Sequence, residues 1–287
     1  MCIRDRTILL TGVNAGFLLL LKSFRCRLDE LGISNHVVAA LDRSTAVFCN
    51  RWNIPWFAAE SINGTMFPFV SSSATAISTL QFLQVTQLKS SQLVRLLRAG
   101  YDVLLCDLDV FFLQHPMPLV RELCDPAADV CAASDRRTDT PLAAHTATLG
   151  LMFVRSNHRT ISAFTELSVR ADADVRFSDH HFINALLCGA QHEFFNDKMA
   201  QNGGCVDPSR NLRTIFYPSD LFFNGHSWSW RMTHPQRGEL QLGIQTPVAV
   251  HYNWNSGLLA KTQQLRASGF WALDLRGRCR ARGLYRT

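Results

Sequence analysis

The segment Asp102-Val-Leu-Leu-Cys-Asp-Leu-Asp-Val-Phe-Phe-Leu113 restricts the possible folds of this chain more than any other. It is almost continuously apolar. That pattern marks a strand covered on both faces, as in a mostly parallel sheet with helices above and below. Two carboxylates interrupt it. Residues two apart in a strand point to the same side, so Asp107 and Asp109 converge. At the mouth of a buried strand they repel each other and lose hydration. A divalent cation removes both penalties, and oxygen-rich sets favour Mg²⁺ or Mn²⁺. An Asp-x-Asp triplet alone is a weak signal. The chain contains its own control, Asp172-Ala173-Asp174, which follows a helical stretch with no buried strand before it and reads as a solvated turn.

Strand-like and helix-like segments alternate around this one. Thr7–Val13 reads as a strand, followed by a helix opening near Asn14, running to about Leu31 and stopping at Gly32. The apolar run Ile8–Leu21 is too short for a bilayer crossing, which needs roughly 20 apolar residues. It contains Thr11, Gly12, Asn14 and Gly16, and the basic residues after it lack a small-residue cleavage site, so a secretory signal is also a poor fit. His36–Leu41 reads as a short buried strand ending at Asp42, and Phe67–Ser73 as a loop. Ala74–Ala99 is mainly helical and stops at Gly100. Ala128–Ala133 and Leu149–Val154 read as strands separated by the polar turn Ser134–Pro141. Arg159–Arg170 and Asp179–Leu187 read as helices, residues 200–212 as a polar loop, and Pro247–Val250 as a last strand. The pattern implies one α/β domain with a mostly parallel central sheet flanked by helices. Ligands of such sheets bind at the carboxyl ends of the strands.

The chain has 287 residues, 47% of them hydrophobic and 18% charged, a composition that excludes disordered and fibrous classes. The net charge of +6 is dispersed, with no like-charge block and no recognition motif, which argues against nucleic acid as a partner. Residues 1–6, Met-Cys-Ile-Arg-Asp-Arg, resemble a translated sequencing adapter and are set apart from the domain at 7–287, so any membrane anchor would precede this sequence. None of the nine cysteines forms a C-x-x-C pair, which disfavours zinc ribbons and redox dithiols. Cys106 and Cys188 read as plain core residues, whereas Cys124 and Cys131 could pair in an oxidising compartment. The sequon Asn63-Gly64-Thr65 fits the secretory pathway.

His251 closes the last strand and opens His251-Tyr-Asn-Trp-Asn-Ser-Gly257, with Lys261 beyond. Imidazole suits first-row divalent metals. Glycine lets backbone approach a phosphate, and lysine supplies a point charge for it. With the Asp pair these residues make a metal–diphosphate clamp.

This set resembles the plant and algal nucleotide-diphospho-sugar transferases of glycosyltransferase family 77. The resemblance runs from about Thr7 to Leu275. Gly32-Ile33 and Val37-Val-Ala-Ala-Leu-Asp42 carry it first, then Leu88-Lys89 and Gly100-Tyr-Asp-Val-Leu-Leu-Cys-Asp-Leu-Asp109 with Pro116. Gly150-Leu-Met-Phe-Val-Arg155, Asp179 through Phe182 and Asn184 follow. Phe223-Asn-Gly225, His251, Gly257, Lys261 and Gly269-Phe-Trp271 complete it.

The resemblance implies a GT-A fold, a nucleotide-sugar donor, mostly UDP-linked and carrying a pentose or hexose, and retaining transfer to a glycan or glycoprotein hydroxyl. It implies Mn²⁺ (or Mg²⁺) held by Asp107, Asp109 and His251. Thr11, Asn14, Asp42, Lys89, Gly257 and Lys261 would bind the nucleotide sugar. Gly150, Asn184, Asn224 and Gly225 would border the sugar and acceptor. Residence in the Golgi lumen behind a type II anchor is implied as well.

Asp179 is the candidate to stabilise positive charge at the anomeric carbon, with His180 lining the sugar pocket. The competing reading makes Asp179 a helix cap. His180 and His181 are adjacent on a helix and point about 100° apart, so they do not chelate one ion. Where the family has Asn-Thr-Gly and Asp-Gln, this chain has Thr148-Leu149-Gly150 and Asp179-His180. Both segments border sugar and acceptor, which leaves their identity open. The alternatives are a non-catalytic nucleotide- or carbohydrate-binding protein on the same fold, and a nucleotide-sugar hydrolase or pyrophosphorylase, for which no water-positioning base is evident.

Overall fold

The computed structural model describes residues 6–61, 80–124, 127–135, 147–173, 179–188, 203–233, 246–253 and 257–280. The anticipated loop at 67–73, the sequon at 63–65, most of the turn at 134–141 and Asp174 lie outside these residues.

The chain opens with β1 (Thr7–Val13) and α1 (Leu18–Glu30), with Gly32 in the left-handed region at φ 72° where the helix stops. β2 (His36–Ala40) follows, then α2 (Arg43–Arg51), β3 (Trp56–Ala58) and α3 (Leu80–Arg98). Next come β4 (Asp102–Cys106), β5 (Val110–Phe112), α4 (Met117–Leu123), β6 (Val130–Ser134) and β7 (Ala147–Val154). α5 (His158–Ala173), α6 (Asp179–Cys188), β8 (Gly204–Asp207), β9 (Leu212–Phe216) and β10 (Phe222–Asn224) lead to α7 (Gly225–Thr233), β11 (Ala249–His251) and α8 (Gly257–Ala267).

The main sheet has the order β3-β2-β1-β4-β7-β6-β9-β8. The pairs β1–β2, β2–β3, β1–β4 and β6–β9 are parallel, and β4–β7, β6–β7 and β8–β9 antiparallel. Each central strand feeds two cores. From β4, Leu104 and Cys106 join Leu20, Leu21, Phe24 and Leu28 of α1 on one face. Val103 and Leu105 join residues of α3, α5 and α6 on the other. This double burial is what the continuous apolar runs required. β2 and β4 flank β1 on opposite sides, so the strand order reverses between β1 and β4, and a crevice opens at their carboxyl ends.

The apolar run 102–113 is not one strand. β4 ends at Cys106, and the amide of Val110 donates to the carbonyl of Asp107 at 3.2 Å to close a turn. β5 then enters a second sheet, β10-β11-β5, packed on the α1 side. Both halves are buried, but against different partners, and an apolar run carries no mark of a change of partner. Arg27 of α1 holds the new strand in place, its Nε and Nη2 donating to the carbonyls of Phe112 (2.7 Å) and Leu113 (2.8 Å).

Three further expectations are corrected. Residues 203–216 form the β8–β9 hairpin instead of a polar loop, its turn held by Asp207 Oδ1, which accepts from the amide (2.9 Å) and hydroxyl (2.7 Å) of Ser209. Cys188 is bonded to Cys205, which ties α6 to β8; Cys124–Cys131 and Cys26–Cys279 are also disulfides. Asp172 lies in the last turn of α5, because that helix extends to Ala173. Cys106 is a buried free thiol as anticipated.

Asp129, 2% exposed, locks β6 to its surroundings. It accepts from Asn157 Nδ2 (2.8 Å), Arg159 Nε (3.0 Å), Arg159 Nη2 (2.6 Å) and the amide of Arg213 (3.0 Å). Burial alone would raise its pKa, but these donors hold it below the ordinary carboxylate value. The resulting stability is complete above the unfolded pKa of about 4 and is lost as the pH falls through the depressed folded value. Asp129→Asn should cost about 1.5–3 kcal/mol at neutral pH, with the half-exposed Arg159 keeping it from being larger. It should also flatten the acid limb of the stability curve below pH about 4 in urea unfolding.

Candidate active site

The turn between β4 and β5 carries both acids, and backbone bonds fix it from two sides. The amide of Asp107 donates to the carbonyl of Gly150 in β7 at 2.8 Å, and the amide of Tyr252, just past β11, donates to the carbonyl of Asp109 at 3.0 Å. His251 closes β11 opposite Val110. The convergence of the acids comes from this turn, not from the pleat of a continuous strand.

Asp109 is 2% exposed and His251 3%. His251 Nε2 lies 3.5 Å from Asp109 Oδ1 and 3.9 Å from Asp107 Oδ2. One ligand atom from each of the three residues falls within 4.8 Å of the others. Two carboxylates and an imidazole are a donor set suited to a first-row divalent cation. Burial would raise the pKa of Asp109, but Lys261 and His251 hold it far below the ordinary range. Burial would lower that of His251, but Asp109 and Asp107 raise it.

Both lysines reach the acids. Lys89 Nζ stands 2.5 Å from Asp107 Oδ1, and Lys261 Nζ 2.6 Å from Asp109 Oδ2. The stem of Lys89 passes over Gly12, where an added Cβ would meet its Cγ at 3.9 Å. Gly257 begins α8 at φ 80°, a conformation that favours glycine, and so sets the start of the helix that delivers Lys261.

The other predicted residues surround this centre. Asn14, 1% exposed, follows β1 at the crevice. Asp42 accepts from the amides of Thr45 (2.7 Å) and Ala15 (2.6 Å), joining the start of α2 to the turn after β1. Thr11 is buried with its hydroxyl 2.9 Å from His36 Nε2, and burial, then Arg25, push the pKa of His36 down to about 3. Asn184 of α6 bonds both ways with the backbone of Ala147, at 2.7 and 3.2 Å. Asn224 caps α7, its Oδ1 accepting from the amide of Ser227 at 2.8 Å. The amide of Gly225 donates to Asn253 Oδ1 at 3.3 Å. The backbone of Asp179 and His180 opens α6 as anticipated, and their side chains lie outside the described residues.

Two features were not read from the sequence. Asp135 follows β6, accepts from Asn253 Nδ2 and lies close enough to His251 to raise its pKa. Its only signal was a carboxylate just after a buried strand, the same signal that marked Asp107. The second is the role of Gly150. A Cβ there would lie 2.0 Å from His251 Cε1 and 2.6 Å from Nε2, so the ring occupies the space that the glycine leaves open.

Seen as a whole, a sheet whose order reverses above a buried Asp–Asp–His group is the GT-A arrangement of the glycosyltransferases. The chain belongs to the nucleotide-diphospho-sugar transferase family, whose model matches residues 31–265. It is 28% identical over 278 residues to the beta-arabinofuranosyltransferase RAY1 of Arabidopsis thaliana, covering 94% of this chain and 48% of that protein. It is 23% identical over 276 residues to the arabinosyltransferase XEG113 of the same plant, covering 92% and 40%. The chain thus spans about half the length of the curated relatives it matches or less. Among solved structures, the apo form of the glycosyltransferase GlyE from Streptococcus pneumoniae superposes with a TM-score of 0.51 at 12% identity, covering 94% of this chain and 61% of that one. That likeness concerns the fold alone.

Gly150→Ala should displace the His251 ring. Mn²⁺ affinity, read by calorimetry in the presence of UDP, should fall about 10–100-fold, the range for residues that orient metal ligands. Unchanged affinity would mean that His251 is not a ligand.

Proposed function

We propose that the chain transfers a sugar from a UDP-linked donor to a hydroxyl of a glycan or glycoprotein, with retention of configuration and a divalent cation, Mn²⁺ or Mg²⁺, at Asp107, Asp109 and His251. The observation that carries this reading is the buried Asp–Asp–His group flanked by Lys89 and Lys261 at the reversal point of the sheet. The names of the Arabidopsis relatives favour a pentose, an arabinosyl group first.

The cation, when bound, supplies positive charge to the departing diphosphate. Lys261 and Lys89 add point charges beside it. Asn14 lies at the nucleotide end of the crevice, and Thr11 and Asp42 act by fixing the backbone around it. Gly257 admits the diphosphate to the start of α8. Asn184, Asn224 and Gly225, with Gly150, shape the sugar and acceptor side. Stabilising the developing positive charge at the anomeric carbon is assigned to Asp179, and recognition of the sugar to His180.

The three disulfides among the described residues favour an oxidising compartment, and we place the protein in the Golgi lumen. Among the described residues no helix is long and apolar enough to cross a membrane.

A donor screen with Mn²⁺, a glycan acceptor and a panel of UDP-pentoses and UDP-hexoses tests this reading. Acceptor-dependent release of UDP from a pentose donor is expected, and Asp109→Asn should abolish it together with tight metal binding. UDP binding with no turnover of any donor would favour a non-catalytic binding protein instead. Release of UDP without acceptor would favour a hydrolase.

Asp179→Asn separates catalysis from capping, because Asn caps as well as Asp. Turnover should fall sharply with UDP binding retained. A rate within about twofold of the parent would leave Asp179 a helix cap.

A further inference from the structure

Each acid of the metal group gives one oxygen to the imidazole side and the other to a lysine. Asp107 presents Oδ2 to His251 and Oδ1 to Lys89, while Asp109 presents Oδ1 to His251 and Oδ2 to Lys261. The lysines come from opposite sides, Lys89 from α3 and Lys261 from α8. Neither is sealed in, since their side chains are 13% and 21% exposed, whereas that of Asp109 is 2% exposed. A lysine on a flexible four-carbon stem at such an edge can leave its carboxylate without disturbing the core.

The charges explain why leaving matters. Two carboxylates and two ammonium groups cancel. Asp135, near His251, adds one negative charge, so a divalent cation added alone still leaves excess positive charge in a poorly solvated site. The diphosphate of a nucleotide sugar carries two negative charges and offsets that excess.

We propose that Lys89 and Lys261 are exchangeable counter-ions that couple cation and diphosphate binding. They neutralise Asp107 and Asp109 in the empty site, disfavour the cation by itself, and turn to the phosphates when cation and donor enter together. Because coupling between two ligands is reciprocal, the diphosphate tightens the cation by the same factor that the cation tightens the diphosphate. This rests on the reading of Asp107, Asp109 and His251 as the metal group.

The experiment compares the parent chain with Lys89→Met and Lys261→Met. Mn²⁺ binding is followed by electron paramagnetic resonance without nucleotide, and UDP binding by calorimetry at saturating Mn²⁺. Removing a lysine should tighten Mn²⁺ alone by at least about tenfold, because a nearby positive charge and a competitor are lost together. The same change should weaken UDP by about tenfold or more, because a charge-assisted contact is lost. Opposite signs in the two titrations are the signature; loss of fold or of packing would weaken both. Lys89→Arg and Lys261→Arg keep the charge and should leave Mn²⁺ alone near the parent affinity. Should Lys261→Met fail to fold, Lys89→Met carries the test, since its pair is partly solvated. Mn²⁺ affinity unchanged or lowered in the methionine variants overturns the proposal. In that case Mn²⁺ binding in the parent, with or without UDP, keeps the metal reading. Absence of Mn²⁺ binding in every protein, even with UDP, would overturn both.

Discussion

The ring of His251 occupies the space beside Gly150 that a side chain would fill, and the site depends on that contact. Two sheets meet at this point. β7 of the main sheet holds the turn through the amide of Asp107, and the residue after β11 of the small sheet holds it through the carbonyl of Asp109. The three side chains are therefore placed by the strands that bracket the turn and not by side-chain choice alone. Phe111, beside the turn, stacks on Phe270 with 4.3 Å between ring centroids, so the segment after α8 supports the small sheet as well. A turn pinned between two sheets gives a candidate metal group better definition than a free loop does.

Burying acids requires donors, and the fold solves that problem repeatedly. Asp109 is matched by Lys261 and His251, Asp129 by Arg159, Asn157 and a backbone amide, and Asp207 by Arg210 and Ser209. Asp129 joins the start of β6 to α5 and β9, and Asp207 holds the β8–β9 turn, whose Arg210 also reaches Glu166 of α5. At Asp109 and Asp107 the partners are lysines at the edge of an open crevice. That difference separates an acid that holds the fold from one able to change partners.

Much of this was legible in the sequence, for reasons particular to each element. Double burial made β1, β4 and β7 stand out as apolar runs, and Gly32 and Gly100 marked helix ends through their positive φ. The Asp–Asp–His group was readable because charged and imidazole side chains interrupted otherwise apolar strands. The break at residues 107–109 was not readable, since β4 and β5 are equally buried in different sheets. The β8–β9 hairpin was masked by its polar turn and by Val206, which is 49% exposed on a strand at the sheet edge. Cys188–Cys205 and Cys26–Cys279 depend on tertiary proximity that spacing does not encode. The pairing of each acid with a lysine is a matter of three-dimensional approach, although the residue types themselves had been singled out.

The bond between Cys26 and Cys279 spans 253 residues and closes almost the entire domain into a covalent ring. Lys89, Asp107, Asp109, Gly150, His251 and Lys261 all lie inside it. A ring differs topologically from a string: one cut in its circumference opens it but releases no piece. A single proteolytic nick anywhere between the two cysteines would leave both fragments tethered, with α1 still bound to the segment beyond α8. Where proteases act, such a domain can outlast a break in its backbone, and only reduction would part the fragments.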